Sequence, residues 1–440
     1  MSKIDDKISN SEFSTIWRMF SSQKKRFAKT IDEIMNEYNP KTHKVNNKFY
    51  RKDKTVSVPV EGKTDRYGQP VFTTKKVGRC RVSIPFQRVL VERSVGFLFA
   101  NPVQYNINNE TTSEVQGKVT SLFNNVIKDN KMIYRDKDIA RRLFSECEVA
   151  ELWYFMLDES GKPTNDIRMR ICSPTKGDGL YPHFDEYDRM DAFARTYSTT
   201  NEDGTKIKHF DIYTDMFVYE FVSNGEDMER VGNVKRHGFT KIPVVYYSQE
   251  ETEWECVQSE IERIEDLLSN WGDTDDYFGS PSYFCSGTIE GFAEKGEQGR
   301  VYTGSDGADM KVLSWDSSPT SMNQEFATLK DIVFSFTQTP DVSFETMKRL
   351  GSNTSGVAIR LMFTDPHMKA QMKIETFGEM MQRRINIILN GIASQVLPIP
   401  YDQLNDLDIE PKFTPYMSAE FEKEESKEEG QEGNEGNGAE

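Results

Sequence analysis

The sequence predicts an α+β protein of several parts, and three observations carry that prediction. Apolar residues recur at helical spacing near both ends of the chain. Residues 149–247 read instead as short strands separated by Gly, Asn, Asp or Pro turns. A Gly-rich, β-like stretch over 280–316 sits between two helical patterns. At 440 residues the chain can hold two or three compact cores, since domains usually run to about 100–200 residues.

In chain order, Phe13, Ile16, Trp17 and Phe20, continued by Phe27, Ile31 and Ile34, mark an amphipathic helical arm over 1–40. Residues 41–82 turn polar and basic, with short β-like runs whose basic side chains either face an acidic surface or are solvated. Val89, Leu90, Val95, Leu98 and Phe99 predict a buried helix ending at Asn101-Pro102. A second helix from about Thr112 and a third at "DIARRLFSE" lead into the strand "VAELWYFML". The strands that follow predict an antiparallel sheet packed on these helices, with "YPHFDEYDRMD" (Tyr181–Asp191) read as a turn between strands rather than a metal site.

From Glu251 to Tyr277 the spacing predicts a long helix with Val257, Ile261, Ile264, Leu267, Leu268 and Trp271 on one side. Ten carboxylates between Glu251 and Asp276 face a single Arg263. Such a helix is either simply solvated or lines something that must not hold polyanions. Residues 323–338 resume helical spacing, so the β module of 280–316 is expected at the tip of a two-helix stalk. A last helix is predicted from Val357 to about Leu389, kinked at Pro366, its methionines serving as adaptable packing. The tail 417–440, with nine glutamates and two lysines, is expected to be disordered.

Composition narrows the function classes. The apolar fraction is 36%, below the roughly 45–50% of ordinary chains, and 29% of residues are charged, so much surface is solvated or shared through polar contacts. A net charge of −16 disfavours tight binding of a polyanion through many lysines and allows only loose or local contact with DNA; solubility alone explains it equally well. Five dispersed cysteines suggest free thiols in a reducing compartment. No signal peptide or membrane-spanning window is found, which leads us to expect cytosol-like surroundings.

"GSNTSGVAIR" (Gly351–Arg360) tests the enzyme reading. A phosphate-binding loop needs a lysine and a hydroxyl after its last glycine, and here Val357 and Ala358 follow Gly356. The stretch reads as a hinge, with Gly351 giving backbone freedom and Thr354 or Ser355 capping the next helix. The five histidines form no metal pair, and no nucleophile elbow is present. Neither an enzyme nor a cofactor is indicated.

Three stretches carry a family resemblance: "SIPFQRVLVERSVGFLFANPVQY", "ICSPTKGDGLYPHFDEYDRMDAFARTYS" and "TQTPDVSFETMKRLGSNTSGVAIRLMF". Over roughly Arg81–Leu397 the chain resembles the portal proteins of tailed double-stranded DNA bacteriophages. The resemblance implies a homo-oligomeric ring, usually of twelve copies, at one capsid vertex of the virion, assembled in the host cytoplasm. Its parts would be an N-terminal arm (1–40), an α/β wing (41–250), stem helices (251–279 and 317–338), a clip (280–316), a tunnel loop (339–355), a kinked long helix with a short crown (356–416) and the acidic tail.

The resemblance implies transient, non-specific contact with double-stranded DNA at Thr339, Pro340, Asp341, Lys348, Arg349, Gly351, Ser352, Asn353, Ser355 and Gly356. It would make the stem's Glu260, Glu262, Glu265, Asp266 and Asp273 an acidic channel wall. Clip residues Tyr283, Glu290, Arg300, Tyr302 and Asp306 would dock the terminase large subunit and the head-tail adaptor, with major capsid and scaffold proteins as further partners. The implied function is DNA packaging and ejection through the ring. Two alternatives stay open: a head-tail adaptor or minor capsid protein without a channel, and a nucleotide-dependent DNA enzyme.

Overall fold

A computed structural model describes residues 3–107, 114–224, 227–278, 282–286, 289–290, 303–304, 309–313, 319–341, 363–400, 404 and 407–416. The described chain mixes helices and antiparallel sheets, as the sequence predicts. It opens with helices α1 (Lys3–Asn10), α2 (Phe13–Gln23) and α3 (Ile31–Tyr38), then strands β1 (Lys54–Thr64) and β2 (Pro70–Val77). Helix α4 (Phe86–Leu98), strand β3 (Gln104–Ile107) and helices α5 (Glu114–Asp129) and α6 (Met132–Glu146) come next. The strand-rich middle holds β4 (Glu148–Leu157), β5 (Pro163–Cys172), β6 (Gly179–Phe184), β7 (Met190–Thr200), β8 (Lys206–Tyr213), β9 (Phe217–Asn224), β10 (Asp227–Arg230), β11 (Lys235–Arg236) and β12 (Val244–Ser248). After helix α7 (Gln258–Phe278) come the short strands β13 (Ser282–Ser286), β14 (Ile289–Glu290), β15 (Thr303–Gly304) and β16 (Asp309–Leu313). Helices α8 (Pro319–Phe336) and α9 (Thr364–Gly391) and strand β17 (Ile409–Lys412) complete the order.

Backbone contacts gather these elements into two units. The first combines Met1–Tyr38, Gln87–Glu255 and Thr337–Glu440; the second combines Asn39–Phe86 with Cys256–Phe336. The sequence places residues 41–86 in one part with 87–250, whereas the contacts group Asn39–Phe86 with α7 and α8.

In the first unit, β6 to β10 form an antiparallel meander in the order β10-β9-β8-β7-β6, and β12-β4-β5 form a second sheet. The arm is an outer helix pair: Ile4, Ile8, Ile16 and Phe20 are buried with Ala192, Ala194, Phe210, Ile212, Tyr219 and Phe221. Alanines at 192 and 194 leave room for the helices, and burying Phe20 alone contributes about 1.5–3 kcal/mol. Phe193, between them on β7, points to the other face and packs with Leu152, Val244 and Tyr246. A strand covered on both faces loses the apolar-polar alternation, which is why "DAFA" reads as a continuous buried run.

One turn recurs. At Asp65–Gln69, Asp158–Lys162, Asp185–Arg189 and Asn201–Thr205 the first residue's amide donates to the fifth residue's carbonyl, at 2.7–3.0 Å. In the first three, the aspartate Oδ1 accepts from the amides two and four residues on. The fourth residue is left-handed each time: Gly68, Gly161, Asp188 and Gly204. "YPHFDEYDRMD" is thus a hairpin turn, with His183 Nδ1 2.5 Å from Asp191 Oδ1.

Helix α9 crosses the interior of the first unit. Phe377 packs edge-on to Phe99 and Phe144, at 5.3 and 6.1 Å between centroids, and tilted against Tyr247 at 5.3 Å. Two turns further, the fully buried Arg384 is 2.5 Å from Glu151 of β4 and 2.8 Å from Asp136 of α6. It also donates to the Tyr105 hydroxyl at 3.0 Å. Glu151 in turn accepts from Tyr247 Oη at 2.7 Å and Trp153 Nε1 at 3.0 Å. One guanidinium thus faces two carboxylates, all three groups buried. Burial, reinforced by Glu151 and opposed by Arg384, pushes the Asp136 carboxyl up to about 6.

Two expectations need correction. The long acidic helix begins at Gln258, after a 3-10 turn over Glu255–Val257, rather than at Glu251. Pro366 does not kink a continuous helix, because α9 begins at Thr364 and Pro366 falls in its first turn, where no intrahelical hydrogen bond is lost. The methionines of α9 divide: Met381 is buried, while Met368 and Met372 are each 56% exposed.

Candidate functional site

Three of the predicted DNA-loop residues, Thr339, Pro340 and Asp341, lie among described residues of the first unit. Lys348, Arg349, Gly351, Ser352, Asn353, Ser355 and Gly356 lie outside them, as do the expected cap at Thr354 and the helix start at Val357. Helix α8 ends at Phe336, and Gln338 then takes a left-handed backbone (φ 52°) that turns the chain away. Thr337 and Thr339 are buried.

The base of this loop is fastened by charged side chains that the sequence pattern does not single out. Arg93 of α4 donates to the Pro340 carbonyl at 2.6 Å and comes within 3.9 Å of Asp341. Lys369 of α9 donates to the Thr337 carbonyl at 2.9 Å. Lys369 and Lys373, one turn apart, each reach one oxygen of Glu253, at 2.5 and 2.6 Å. Ser94 Oγ donates to the same carboxylate at 3.0 Å. Burial alone would raise the Glu253 carboxyl, but the two ammonium groups outweigh it and bring it down to about 2.

The segment that leaves α8 and the first turns of α9 are therefore tied to one carboxylate. A sequence signal for this exists. Lys369 and Lys373 stand one turn apart on one helix face and repel, so "KAQMK" calls for an acidic partner.

In the second unit, the carboxylates assigned to an acidic wall have partners within the chain. His43 Nδ1 lies 2.6 Å from Glu265 Oε1, which also accepts from the Ile84 amide at 2.7 Å. Lys44 donates to Glu262 at 3.0 Å and the Tyr50 hydroxyl to Asp266 at 2.7 Å. Arg51 donates to Asp273 at 2.6 Å and to Asn270 at 2.9 Å, and the Cys80 amide completes Asp273 at 2.9 Å. Glu260 accepts from its neighbour Ser259 at 2.8 Å. The hydrogen bond to Asp266 raises the Tyr50 phenol, and that to Glu262 raises the Lys44 ammonium.

Residues 43–51 and 80–84, on either side of the β1–β2 hairpin, are thus a strap laid along α7. Between positions 41 and 82 the sequence carries twelve Lys and Arg against three Asp and Glu, and two of these cations, Lys44 and Arg51, are spent on carboxylates of the chain's own helix α7. Arg263 bridges α7 to Glu325 of α8 at 2.7 Å, so the two helices are pinned as well as packed.

Between α7 and α8, β13 pairs antiparallel with β16 and β14 with β15, placing Tyr283 opposite Val312 and Glu290 opposite Thr303. Arg300, Tyr302 and Asp306 lie outside the described residues. Among the described residues, no group of His, Cys, Asp and Glu is arranged to hold a metal ion, and no helix is long and apolar enough to cross a membrane.

A search of curated protein sequences finds no match. Among solved structures, a chain from the virion of native gene transfer agent (GTA) particle aligns over 81% of this chain and 86% of that one. The identity is 10% and the TM-score 0.38, a likeness too slight to build on. The family described as phage portal protein, SPP1 Gp6-like, matches residues 20–419. That span takes in both units, the β module between α7 and α8, the fastened loop base and the strap, and by it the chain belongs to the SPP1 Gp6-like phage portal proteins.

Proposed function

We propose that this chain assembles into a closed ring, of twelve copies in the finished particle, at one vertex of a phage capsid, and that viral DNA passes through the ring during packaging and ejection. The observation that carries the reading is the family match, which spans residues 20–419. The ring is a structural part of the virion, assembled in the host cytoplasm with major capsid and scaffold proteins.

The loop that begins at Thr339 is proposed to face the DNA, with Lys348 and Arg349 touching phosphates transiently. Two features support a mechanical role. The loop leaves a base fixed by Arg93, Glu253 and Lys369, and the residues after Gly356 lack the cation of a phosphate-binding loop. The exposed Asp275 and Asp276 and the part-exposed Glu260 are proposed as the repelling part of the channel wall. Glu262, Glu265, Asp266 and Asp273 serve first to hold the strap. The β13–β16 module, with Tyr283, Glu290, Arg300, Tyr302 and Asp306, is proposed to dock the terminase large subunit and then the head-tail adaptor.

Negative-stain imaging of the purified protein tests the reading. A ring with a central hole wide enough for a duplex is expected. Rings without such a hole would favour a head-tail adaptor or minor capsid protein, and ATP hydrolysis by the protein alone would favour an enzyme.

A further inference from the structure

The β1–β2 hairpin of the second unit is in an unusual physical state. Among the described residues it is a two-stranded sheet, so both strands present an outer edge that no other described strand pairs. At 11 residues β1 is about 36 Å long. Every described side chain from Lys54 to Val77 is exposed or half-exposed, so nothing among the described residues buries either face. A lone hairpin is marginal in water.

The faces are not those of a strand meant for solvent. The register pairs Lys54 with Val77, Val56 with Lys75 and Val58 with Thr73, which sets Val56, Val58 and Val77 on one face among basic residues. On the other face Phe72 is 59% exposed, and at the tip Tyr67 is 73% exposed beneath the Arg66 guanidinium. Lys54, Lys63, Arg66, Lys75 and Lys76 stand against two acidic residues, a local charge of +3. With the whole chain at −16, the remainder carries −19.

We propose that this hairpin is an arm that docks on an acidic surface of a second copy of the chain. The proposal rests on the ring reading above and adds the segment that joins neighbours. Charge selects the partner: an arm of +3 meets a surface whose remainder is −19. Apolar content separates it from DNA, because phosphates would satisfy the lysines and leave the valines and Phe72 in water, whereas a protein surface buries both. The open strand edges add backbone hydrogen bonds that a neighbouring strand can complete.

The test uses the full chain. A photo-crosslinking phenylalanine analogue is placed at position 72 in a mixture of light and heavy-isotope protein, with and without DNA. Peptides joining a light to a heavy chain are expected. Crosslinks confined to one isotope, or adducts to DNA in place of protein, overturn the proposal.

In parallel, Lys63→Glu, Arg66→Glu, Lys75→Glu and Phe72→Ser are combined, all at exposed positions, and the fold is checked by circular dichroism. Half-assembly, read by mass photometry, should need at least about tenfold more protein. Assembly identical to wild type at every salt concentration also overturns the proposal. If the wild-type chain forms no rings under any condition, the ring reading fails and takes this one with it. Wild-type rings with an unengaged hairpin defeat the arm alone.

Discussion

The two units use charge in opposite ways. Around α9 the ionic groups are few and dry: Arg384 between Glu151 and Asp136, and Glu253 beneath two lysines. Along α7 they are many and mixed: His43 with Glu265 and Arg51 with Asp273 are largely buried, while Lys44 and Glu262, Tyr50 and Asp266, and Arg263 and Glu325 stay part-exposed. Buried charges cannot exchange partners without a large penalty, so the first arrangement fixes geometry. Half-exposed charges are screened by salt and reform readily, so the second is adjustable by ionic strength. The first unit thus gives a rigid seat to residues 337–341, and the second a helix pair whose cover can shift.

The comparison breaks most easily at Arg384. Arg384→Met should cost about 3–5 kcal/mol in urea unfolding, because it strands Glu151 without water. Measured near pH 5, below the Asp136 value of about 6, Asp136→Asn should cost less than about 1 kcal/mol, since the amide imitates the acid protonated there. With its folded value raised to about 6, Asp136 makes stability fall as pH rises from about 4 to above 6, and the Asn variant should lose that slope. An equal loss in both variants would defeat the idea that one carboxylate carries the ionic bond.

Next comes Glu253→Gln, expected to cost about 2–3 kcal/mol and to speed hydrogen exchange at Thr337 and Thr339, with exchange in β6–β9 unchanged. Its carboxyl is depressed to about 2, so its contribution is complete above the unfolded value near 4.3 and is lost as pH falls toward 2. Wild type should therefore show acid-induced loosening of the loop base that the Gln variant has already undergone.

Salt sharpens the contrast. Raising it from about 0.05 to 0.5 M should increase protease cleavage within residues 43–53 several-fold while the α9 network resists. The smallest effect is expected for Lys44→Ala, within about 0.5 kcal/mol by thermal denaturation, as befits an exposed pair. A cost near that of Arg384→Met would erase the distinction between the units.

The helices and strands were legible because their periodicities are local: Ile16 and Phe20 on one helix face, Ala192-Phe193-Ala194 as a strand buried on both. The turns were legible only as turn residues, although the Asp-x-x-Gly repeat at Asp65 and Asp158 fixes a specific geometry. The strap and the loop clamp were not legible, because both join residues far apart in sequence. His43 meets Glu265 and Arg93 meets Pro340 only after folding. In each case the clue was an unbalanced charge, on α7 and at the start of α9, which the sequence shows but does not pair.

The arm helices carry a consequence for synthesis. Ile4, Ile8 and Asp5 of α1 find their places against strands that end near residue 221, with Asp5 accepting from the Tyr219 hydroxyl at 3.0 Å. At roughly 5–20 residues per second, a ribosome releases the first helix about 10–40 s before the surface it covers exists. During that interval its apolar face belongs to whatever the host supplies, which leaves α1 and α2 open to chaperones and proteases until β9 is made.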